Sequence, residues 1–426
     1  MTPRRGVASR RNTAVRVRAA RNDYGKDGTL RELVQALVTA GATKVEKDWN
    51  ELVVEPFSDP DPKPLAGLLP PSDLADEDSK FVAVTVRGES VTLHYKEALP
   101  PPRGGARDGD RESRGVDALV CLHGANGSEF SFRHLLPRVA EETGLRCVAF
   151  DRPPYGLSSR PSTPVQSEGG DAGDAKVNVV YTPEGQAELT LALMDALGIR
   201  RAAILGHSAG APVALDAALL RPERCPRLIM VAPAVFIGGA GTGGAPRLPL
   251  DRALRFAWFR FLISQDAPGL NVVRGSVNRQ IAAIEEGRMY ADLAPEVREA
   301  YMRPTKAEGW DQGLLQLFRS GSFGGDGERL RAAMHRLVGA GGEGEDGGSG
   351  TGGTKVAIII GLRDKTTPPA LAQGLRDALL EAGVEVQYEA MPAAAHLPME
   401  EVAGGVREAF EALVVDVVAE AAAAAQ

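Results

Sequence analysis

The chain has 426 residues, of which 43% are apolar and 25% charged, proportions typical of a globular protein with one large domain and additional segments. No stretch reaches the roughly 18 consecutive apolar residues that a membrane-spanning helix requires, so we expect no transmembrane segment. The net charge is −7, but residues 1–21 carry seven arginines and no acidic residue, which leaves about −14 for the remainder. A body this acidic would repel a phosphate backbone, so nucleic acid is not an expected partner.

The first 79 residues differ in composition from the rest of the chain. Residues 1–22 are rich in Arg, Ser, Thr and Ala, as is typical of an organellar transit peptide. We predict targeting to plastids, ahead of mitochondrion or cytoplasm, although a basic tail without a targeting role would have the same composition. Residues 23–79 are a predicted N-terminal extension and linker, with a helical pattern at 30–38 and a Pro-rich acidic stretch at 55–79, read as a linker or a draped loop.

From residue 80 the pattern becomes an alternation of strands and helices. Two short strands, Phe81–Arg87 and Ser90–Tyr95, are joined by Gly88-Glu89 and predict a hairpin. Helix-length segments such as Pro183–Leu197 and Pro368–Ala382 then separate most of six buried apolar runs. These runs are Ala118–Leu122, Arg146–Phe150, Ala202–Leu205, Leu228–Val231, Lys355–Ile360 and Val384–Tyr388. Near-continuous apolar strands between helices indicate an α/β fold with a mostly parallel central sheet flanked by helices.

One long interval interrupts this alternation. Residues 237–340 contain several helical patterns and no convincing strand, and a Gly-rich loop follows at 341–353. Because the interval falls between two strands of the sheet, we predict that it forms a helical cap, or lid, inserted before the penultimate strand. The core domain is then divided into a first part at 80–236 and a second part at 354–426.

The strongest local motif is Gly206-His207-Ser208-Ala209-Gly210, directly after the predicted strand Ala202–Leu205. This is the G-x-S-x-G nucleophile elbow in the strand–turn–helix setting that it requires. The serine has to occupy a strained, sharp turn so that its hydroxyl projects from the sheet edge. Gly206 and Gly210 carry no side chain that would collide with the neighbouring strand and helix. We predict Ser208 as the nucleophile.

A serine hydroxyl is a poor nucleophile until a base takes its proton. Of the six histidines, only His396 follows the last predicted strand, in a loop of small residues that lets the imidazole reach the serine. Asp364 follows the strand Lys355–Ile360 and is predicted to orient that imidazole. The weaker candidates Asp377 and Glu381 fall within a predicted helix. The chain order Ser…Asp…His thus predicts a catalytic triad.

Negative charge that develops on a substrate carbonyl requires backbone N–H donors. The loop His123-Gly124-Ala125-Asn126-Gly127 follows the strand Ala118–Leu122 and can aim one such donor at the site. We predict Ala125 and Ala209 as the two oxyanion donors. The neighbouring residues predicted to support the site without reacting are His123, Gly124, Asn126, His207, Asp151 and Arg152.

Together these motifs resemble the α/β-hydrolase superfamily in its lid-bearing serine hydrolase branch. The resemblance spans about residues 80–420 and rests on His123-Gly124, Asp151-Arg152-Pro153 with Tyr155-Gly156, Gly206–Gly210, Asp364 and His396. The segment Tyr301–Pro304 with Gly309-Trp310 is similar to plastid members of plant-type α/β-hydrolases. The resemblance implies a Ser-His-Asp site with no cofactor and no metal. Relatives often have a glycine just before the histidine, where this chain has Ala395.

The same resemblance bears on the reaction. Members that open epoxides or remove halogens have an aspartate at the nucleophile position, so Ser208 favours acyl chemistry. We expect hydrolysis of a small, apolar carboxylic ester through an acyl-enzyme. Thioester hydrolysis, carbon–carbon bond hydrolysis and acyl transfer use the same residues and stay open, as does a slow-turnover ligand receptor with an intact triad. The oligomeric state is not predicted.

The targeting prediction has a direct test. Residues 1–22, fused to a fluorescent protein and expressed in a plant or algal cell, should carry the fluorescence into plastids because of their Arg-rich, acid-free composition. A matched fusion with the seven arginines replaced by glutamine should stay in the cytosol. Diffuse cytosolic fluorescence from the unaltered segment would contradict the prediction.

Overall fold

The computed structural model describes residues 67–102, 115–161, 177–237, 258–259, 261–286, 293–320, 327–338 and 353–423. All of these residues fall within the unit Asp59–Gln426. The predicted transit peptide at 1–22, the extension from 23 to 66 and the Gly-rich loop at 341–352 lie outside the described residues.

Eight strands form one sheet in the spatial order β1-β2-β4-β3-β5-β6-β7-β8. The strands are β1 (Lys80–Val86), β2 (Glu89–Ala98), β3 (Ala118–Leu122), β4 (Arg146–Phe150), β5 (Ala202–His207), β6 (Arg227–Val231), β7 (Lys355–Gly361) and β8 (Val386–Met391). Strands β1 and β2 pair antiparallel, as do β2 and β4, and every other neighbouring pair is parallel. The predicted mostly parallel sheet is therefore confirmed.

Helices flank this sheet. They are α1 (Leu135–Thr143), α2 (Pro183–Ala196), α3 (Gly210–Leu220), α4 (Asp266–Glu285), α5 (Pro295–Met302), α6 (Trp310–Ser320), α7 (Gly327–Ala333), α8 (Pro369–Glu381) and α9 (Val406–Ala423). Local signals set several of their ends. Thr182 caps α2 by accepting a hydrogen bond from the Gly185 N–H at 3.1 Å. Gly144 ends α1 in the left-handed region, at φ 71°.

Both faces of the sheet are buried, which explains why its central strands are near-continuous runs of apolar residues. Every residue of β3, β5 and β6 is buried. Side chains alternate across a strand, so each of these strands needs apolar residues on both faces. One face packs against α1 and α9, with Val139 and Phe410 among the fully buried side chains between them.

Helices α4 to α7 lie in the chain between β6 and β7, and we refer to them as the inserted helices. The segment before β1 contacts the connection between α5 and α6: Leu69 forms a parallel bridge with Ala307, and its N–H donates to the Lys306 carbonyl at 2.9 Å. Farther along, Asp76 pairs with Arg303 at 2.5 Å. Within the described residues, the stretch 67–79 of the predicted linker therefore contacts the connection between α5 and α6.

The strands fall close to their predicted bounds, and the largest offset is in β8. The apolar run predicted Val384–Tyr388, whereas the strand spans Val386–Met391. The cause is its position at the sheet edge, where five of its six residues are only half-buried or exposed. An edge strand does not need a continuous apolar run, so hydropathy marks its ends poorly.

Candidate active site

Ser208 lies between the carboxyl end of β5 and the start of α3, with φ at 49°. This left-handed conformation is uncommon for a residue with a side chain. Its N–H donates to the Val231 carbonyl on the neighbouring strand at 2.9 Å. A Cβ at Gly206 would lie 2.6 Å from the Gly210 carbonyl oxygen, and one at Gly210 would lie 2.4 Å from the Leu122 carbonyl oxygen. The two glycines thus permit the tight turn that holds the serine at the sheet edge.

His396 and Asp364 form a hydrogen-bonded pair. The Nδ1 atom of His396 lies 2.8 Å from Oδ2 of Asp364. Asp364 follows β7 and its carboxylate also accepts from the N–H groups of Thr366 and Thr367, at 2.7 and 2.9 Å, and from the Thr367 hydroxyl at 2.7 Å. Burial by itself raises the pKa of this carboxyl, but the hydrogen bonds from His396 and Thr367 outweigh it and hold the pKa below its usual value. Asp364 is therefore an anion facing the imidazole.

The loop at residues 392–401, which we call the histidine loop, is held on both sides of His396. The carboxylate of Glu401 accepts from the Ala395 N–H at 2.8 Å and from the Leu397 N–H at 3.0 Å. A Cβ at Gly361 would lie 2.3 Å from the Ala395 carbonyl oxygen, so the loop packs directly on the end of β7. Alanine at position 395, where relatives often have glycine, is compatible with this arrangement, because Glu401 binds the backbone N–H groups and not the side chain.

His207 joins the nucleophile strand to the histidine loop. Its Nε2 lies 2.9 Å from the His396 carbonyl oxygen, and the two imidazole centroids are 5.1 Å apart. Burial, and then the nearby His396, lower the pKa of His207 to about 4, so the ring is neutral and Nε2–H donates to the carbonyl. Since His207 immediately precedes Ser208, this hydrogen bond fixes the histidine loop beside the serine.

The 123–127 loop is held from the other side by buried side chains. Arg152 donates from Nε and Nη2 to the His123 carbonyl at 3.1 and 2.8 Å. The His123 ring accepts the Arg152 N–H at Nε2, at 3.0 Å, and its Nδ1 donates to the Gly124 carbonyl at 2.7 Å. Burial, and then the Arg152 charge, lower the pKa of His123 to about 3, so this imidazole is neutral. His123 and Arg152 thus hold the 123–127 loop in place. In the hydrogen bonds described, neither residue contacts the His396–Asp364 pair.

This loop lies directly against the serine. A Cβ at Gly124 would be 3.0 Å from Ser208 Cβ and 2.9 Å from His207 Nδ1. Ala209 is the residue before α3, so its N–H has no partner within the helix and lies at the positive end of the helix dipole. Ala125 is exposed between Gly124 and the left-handed Asn126, at φ 55°. The 123–127 loop therefore approaches the serine from one side and the first turn of α3 follows it on the other, while the role of Ala125 and Ala209 as oxyanion donors stays a prediction.

A second buried cluster lies behind the loop. The Asp151 carboxylate accepts from the N–H groups of Glu129 and Leu157, at 2.8 and 2.7 Å, and its Oδ2 lies 2.7 Å from His94 Nδ1. The other His94 nitrogen lies 2.9 Å from the Ser79 hydroxyl. The sequence patterns predicted a supporting role for Asp151 but no part for His94 or Glu129, which no local motif marks.

The same cluster is the one group, within the described residues, whose ligand atoms are close enough to share a metal ion. Potential ligand atoms of His94, Glu129 and Asp151 lie within 4.8 Å of one another. Both His94 nitrogens and both Asp151 oxygens already have protein hydrogen-bond partners. These contacts explain the cluster without a metal, and we assign none to it.

A narrow cleft of about 50 Å³, partly open to solvent, lies between the 123–127 loop and the inserted helices. Its walls are mainly apolar side chains, among them Val277, Ile281, Met302, Trp310 and Leu314. Asn126 lines the cleft and donates from Nδ2 to Gln280 Oε1 on α4 at 2.9 Å. Asn126 and Gly127 are the residues of the 123–127 loop that line the cleft, and Ser208 and His396 are not among its lining residues. Within the described part of the chain, no helix has the length and apolar character to cross a membrane.

The fold and these loops define a class of protein. A family model described as "alpha/beta hydrolase fold" matches residues 117–402, more than half of the chain, and the chain belongs to this family. This agrees with the coarse resemblance inferred from the motifs.

Several known proteins are similar over parts of the chain. The uncharacterized hydrolase YugF of Bacillus subtilis is 28% identical over 147 residues, 33% of this chain and 48% of that protein. Epoxide hydrolase B of Mycobacterium tuberculosis is 32% identical over 131 residues, 31% of this chain and 32% of that protein. A 2-hydroxy-6-oxo-6-phenylhexa-2,4-dienoate hydrolase of Comamonas testosteroni is 29% identical over 41% of this chain and 50% of that protein. The matched regions therefore span a third to a half of these relatives.

Among solved structures, the haloalkane dehalogenase DatA from Agrobacterium tumefaciens has a TM-score of 0.52 with this chain at 20% identity. The match covers 80% of this chain and 98% of that protein. At this identity the likeness shows the fold alone.

The buried cluster predicts a pH-dependent stability. Burial, and then the Asp151 charge, raise the pKa of Glu129 from 4.5 to about 7. The folded protein therefore keeps a proton that the unfolded chain releases, so stability falls as pH rises from about 4.5 to about 7. Glu129→Gln should remove this component, on the order of 3 kcal/mol at most, from the pH dependence of the unfolding free energy.

Denaturant unfolding at a series of pH values measures this dependence. Glu129→Asp keeps an ionisable carboxyl and is the matched control, expected to retain a pH slope of the same sign. A wild-type slope in Glu129→Gln would show that this carboxyl does not carry the effect.

Proposed function

We propose that this protein is a serine hydrolase that cleaves small, apolar carboxylic esters through an acyl-enzyme. The observation that carries the proposal is the pairing of His396 with buried Asp364 at 2.8 Å, next to a serine in the left-handed turn between β5 and α3. Ser208 would be the nucleophile, His396 the base and Asp364 the orienting carboxylate.

The first half-reaction forms the acyl-enzyme. Nδ1 of His396 faces Asp364, which leaves Nε2 to take the proton from the Ser208 hydroxyl. The serine oxygen attacks the ester carbonyl, and the negative charge on the carbonyl oxygen is stabilised by the N–H groups of Ala125 and Ala209. The imidazolium then gives its proton to the departing alcohol. The depressed pKa of Asp364 keeps this carboxylate charged, so it stabilises the imidazolium during the transfer.

The second half-reaction releases the acid. Water loses a proton to Nε2 of His396 and attacks the acyl carbonyl, the same N–H groups stabilise the second oxyanion, and the proton returns to the serine oxygen. Each step moves protons between substrate, water, Ser208 and His396. No cofactor or metal is proposed.

The nucleophile distinguishes this proposal from the activities named for several relatives. If a serine opened an epoxide or displaced a halide, it would form an ether, which has no carbonyl for water to attack. An ester formed on an aspartate can be hydrolysed, but this chain has Ser208 at that position. Acyl chemistry is the class in which a serine adduct turns over.

The cleft supports a small apolar substrate. Its mainly apolar walls match the character of small-molecule sites. We propose that the inserted helices act as a cap, since Val277, Met302 and Trp310 contribute to the cleft from α4, α5 and α6. The substrate acyl group would occupy the cleft while its carbonyl lies at the 123–127 loop.

Carbon–carbon bond hydrolysis is a second candidate. It is supported by the 29% identity with the dienoate hydrolase of Comamonas testosteroni. That reaction class would use the same serine, histidine and backbone donors. Turnover of esters and of carbon–carbon bond substrates distinguishes the two candidates.

The test is turnover of p-nitrophenyl esters of increasing acyl length. Ser208→Ala and His396→Ala should each lower kcat on the order of 10⁴-fold, because removal of one member disables the triad. Ser72→Ala and His335→Ala change exposed residues away from the site and should keep wild-type kcat. Activity that survives Ser208→Ala would contradict the proposal, and a folded wild type inert to every ester would favour the carbon–carbon candidate.

A further inference from the structure

A buried polar cluster joins one of the inserted helices to the histidine loop. The hydroxyl of Tyr301, in α5, hydrogen-bonds the Glu400 carboxylate and lies 3.3 Å from the Ser131 hydroxyl. Arg133 binds both oxygens of the same carboxylate, from Nη1 at 2.5 Å and from Nη2 at 2.8 Å. Glu400 is 5% exposed and Ser131 7% exposed. Three segments far apart in sequence therefore meet at one carboxylate.

Aromatic packing holds the same contact together. The guanidinium carbon of Arg133 lies 4.1 Å from the centroid of the Phe130 ring, which in turn makes an edge-on contact with the Tyr301 ring at 5.4 Å. Burial, and then the negative charge of Glu400, raise the pKa of Tyr301, so the phenol stays protonated and donates its hydrogen. The geometry of Tyr301 is thus fixed through both its ring and its hydroxyl.

Glu400 lies four residues after His396, so the contact between Tyr301 and Glu400 is made close to the histidine. The Glu400 N–H donates to the Leu397 carbonyl at 2.8 Å, which closes a turn immediately after His396. The next residue, Glu401, accepts the N–H groups on both sides of His396. A displacement of Glu400 would therefore move the turn that supports the imidazole, and small errors in the placement of a catalytic group lower the rate strongly.

We propose that Tyr301 and Glu400 are positioning residues that couple the inserted helices to the placement of His396. The proposal rests on the proposed function, since it assigns these residues to the work of the same histidine. Tyr301 also lines the cleft, so a ligand that packs against this ring contacts the coupling directly. A ligand in the cleft and the base at Nε2 of His396 are then linked through one carboxylate, without contact between Glu400 and the substrate.

The experiment measures the reactivity of the serine in the full chain, by the rate of labelling with a fluorophosphonate, together with kcat and KM for a p-nitrophenyl ester. Tyr301→Phe removes the hydroxyl and keeps the ring, and Glu400→Gln keeps the shape and removes the charge. Each should lower the labelling rate and kcat about 10- to 100-fold and leave KM within about twofold, because the base is displaced and the cleft is not. The double variant should lose little more than either single variant, because both changes break one connection.

Two controls separate positioning from a general loss of stability. Tyr388→Phe removes a buried hydroxyl that has no hydrogen-bond partner among the described residues. Glu411→Gln removes a buried carboxylate of α9, which is paired with Arg138 of α1 at 3.2 Å. Tyr388→Phe and Glu411→Gln should each keep the wild-type labelling rate. Thermal unfolding of all variants identifies any that fail to fold, and Tyr301→Phe, the mildest change, carries the test if Glu400→Gln unfolds.

The outcomes are distinct for the two proposals. If Ser208 in the wild type is not labelled, the proposed function fails. If the wild type is labelled and Ser208→Ala is not, while folded Tyr301→Phe reacts at the wild-type rate, the coupling is overturned and the hydrolase proposal stands. A loss of melting temperature without a loss of labelling rate would assign the cluster to stability alone and overturn the coupling as well.

Discussion

The architecture around the candidate site depends on the backbone of Ser208, which is held in the left-handed region at φ 49°. A residue with a side chain in that region costs on the order of 1–3 kcal/mol and persists only where its surroundings determine it. Here those surroundings are the parallel register of β3, β5 and β6, the hydrogen bond to Val231 and the close approach at Gly206 and Gly210. The cost of this turn is offset by packing in the buried strands around it.

Burial then divides the imidazoles near the serine into separate roles. His123 and His207 have pKa values lowered to about 3 and about 4, so both are neutral and use their ring nitrogens to hold backbone segments. His396 instead faces the charged Asp364, which is the environment that stabilises an imidazolium. The same residue type thus serves as structural support in two positions and as the proposed proton carrier in a third.

The sequence predicts a feature correctly where a single short segment contains all the residues that determine it. The predicted bounds of β3 and β4 coincide with the observed ones, because strands in the middle of a sheet show apolar runs, complete in β3 and broken only by half-buried Arg146 in β4. The serine turn, His396 and Asp364 could be predicted because strand ends and chain order mark them. The structure brings the last two into contact, while their catalytic roles stay predictions.

The remaining features depend on contacts between distant segments. Glu129 lies in a short 3₁₀ helix with no motif, and its raised pKa comes from burial beside Asp151. Tyr301 and Glu400 are 99 residues apart and Arg133 and Glu400 are 267 apart, so no spacing rule connects them. The segment around Tyr301 stood out only by similarity to other proteins, and its contact with the histidine loop required the fold.

The proposed function requires Ser208 to be an activated nucleophile. The most direct measurement is peptide mass mapping of the protein after reaction with a fluorophosphonate. We expect one phosphonyl adduct, on the peptide that contains Ser208, and its loss in His396→Ala, where no base takes the proton. An adduct on another residue, or an equal yield in the histidine variant, would contradict the proposed role of Ser208.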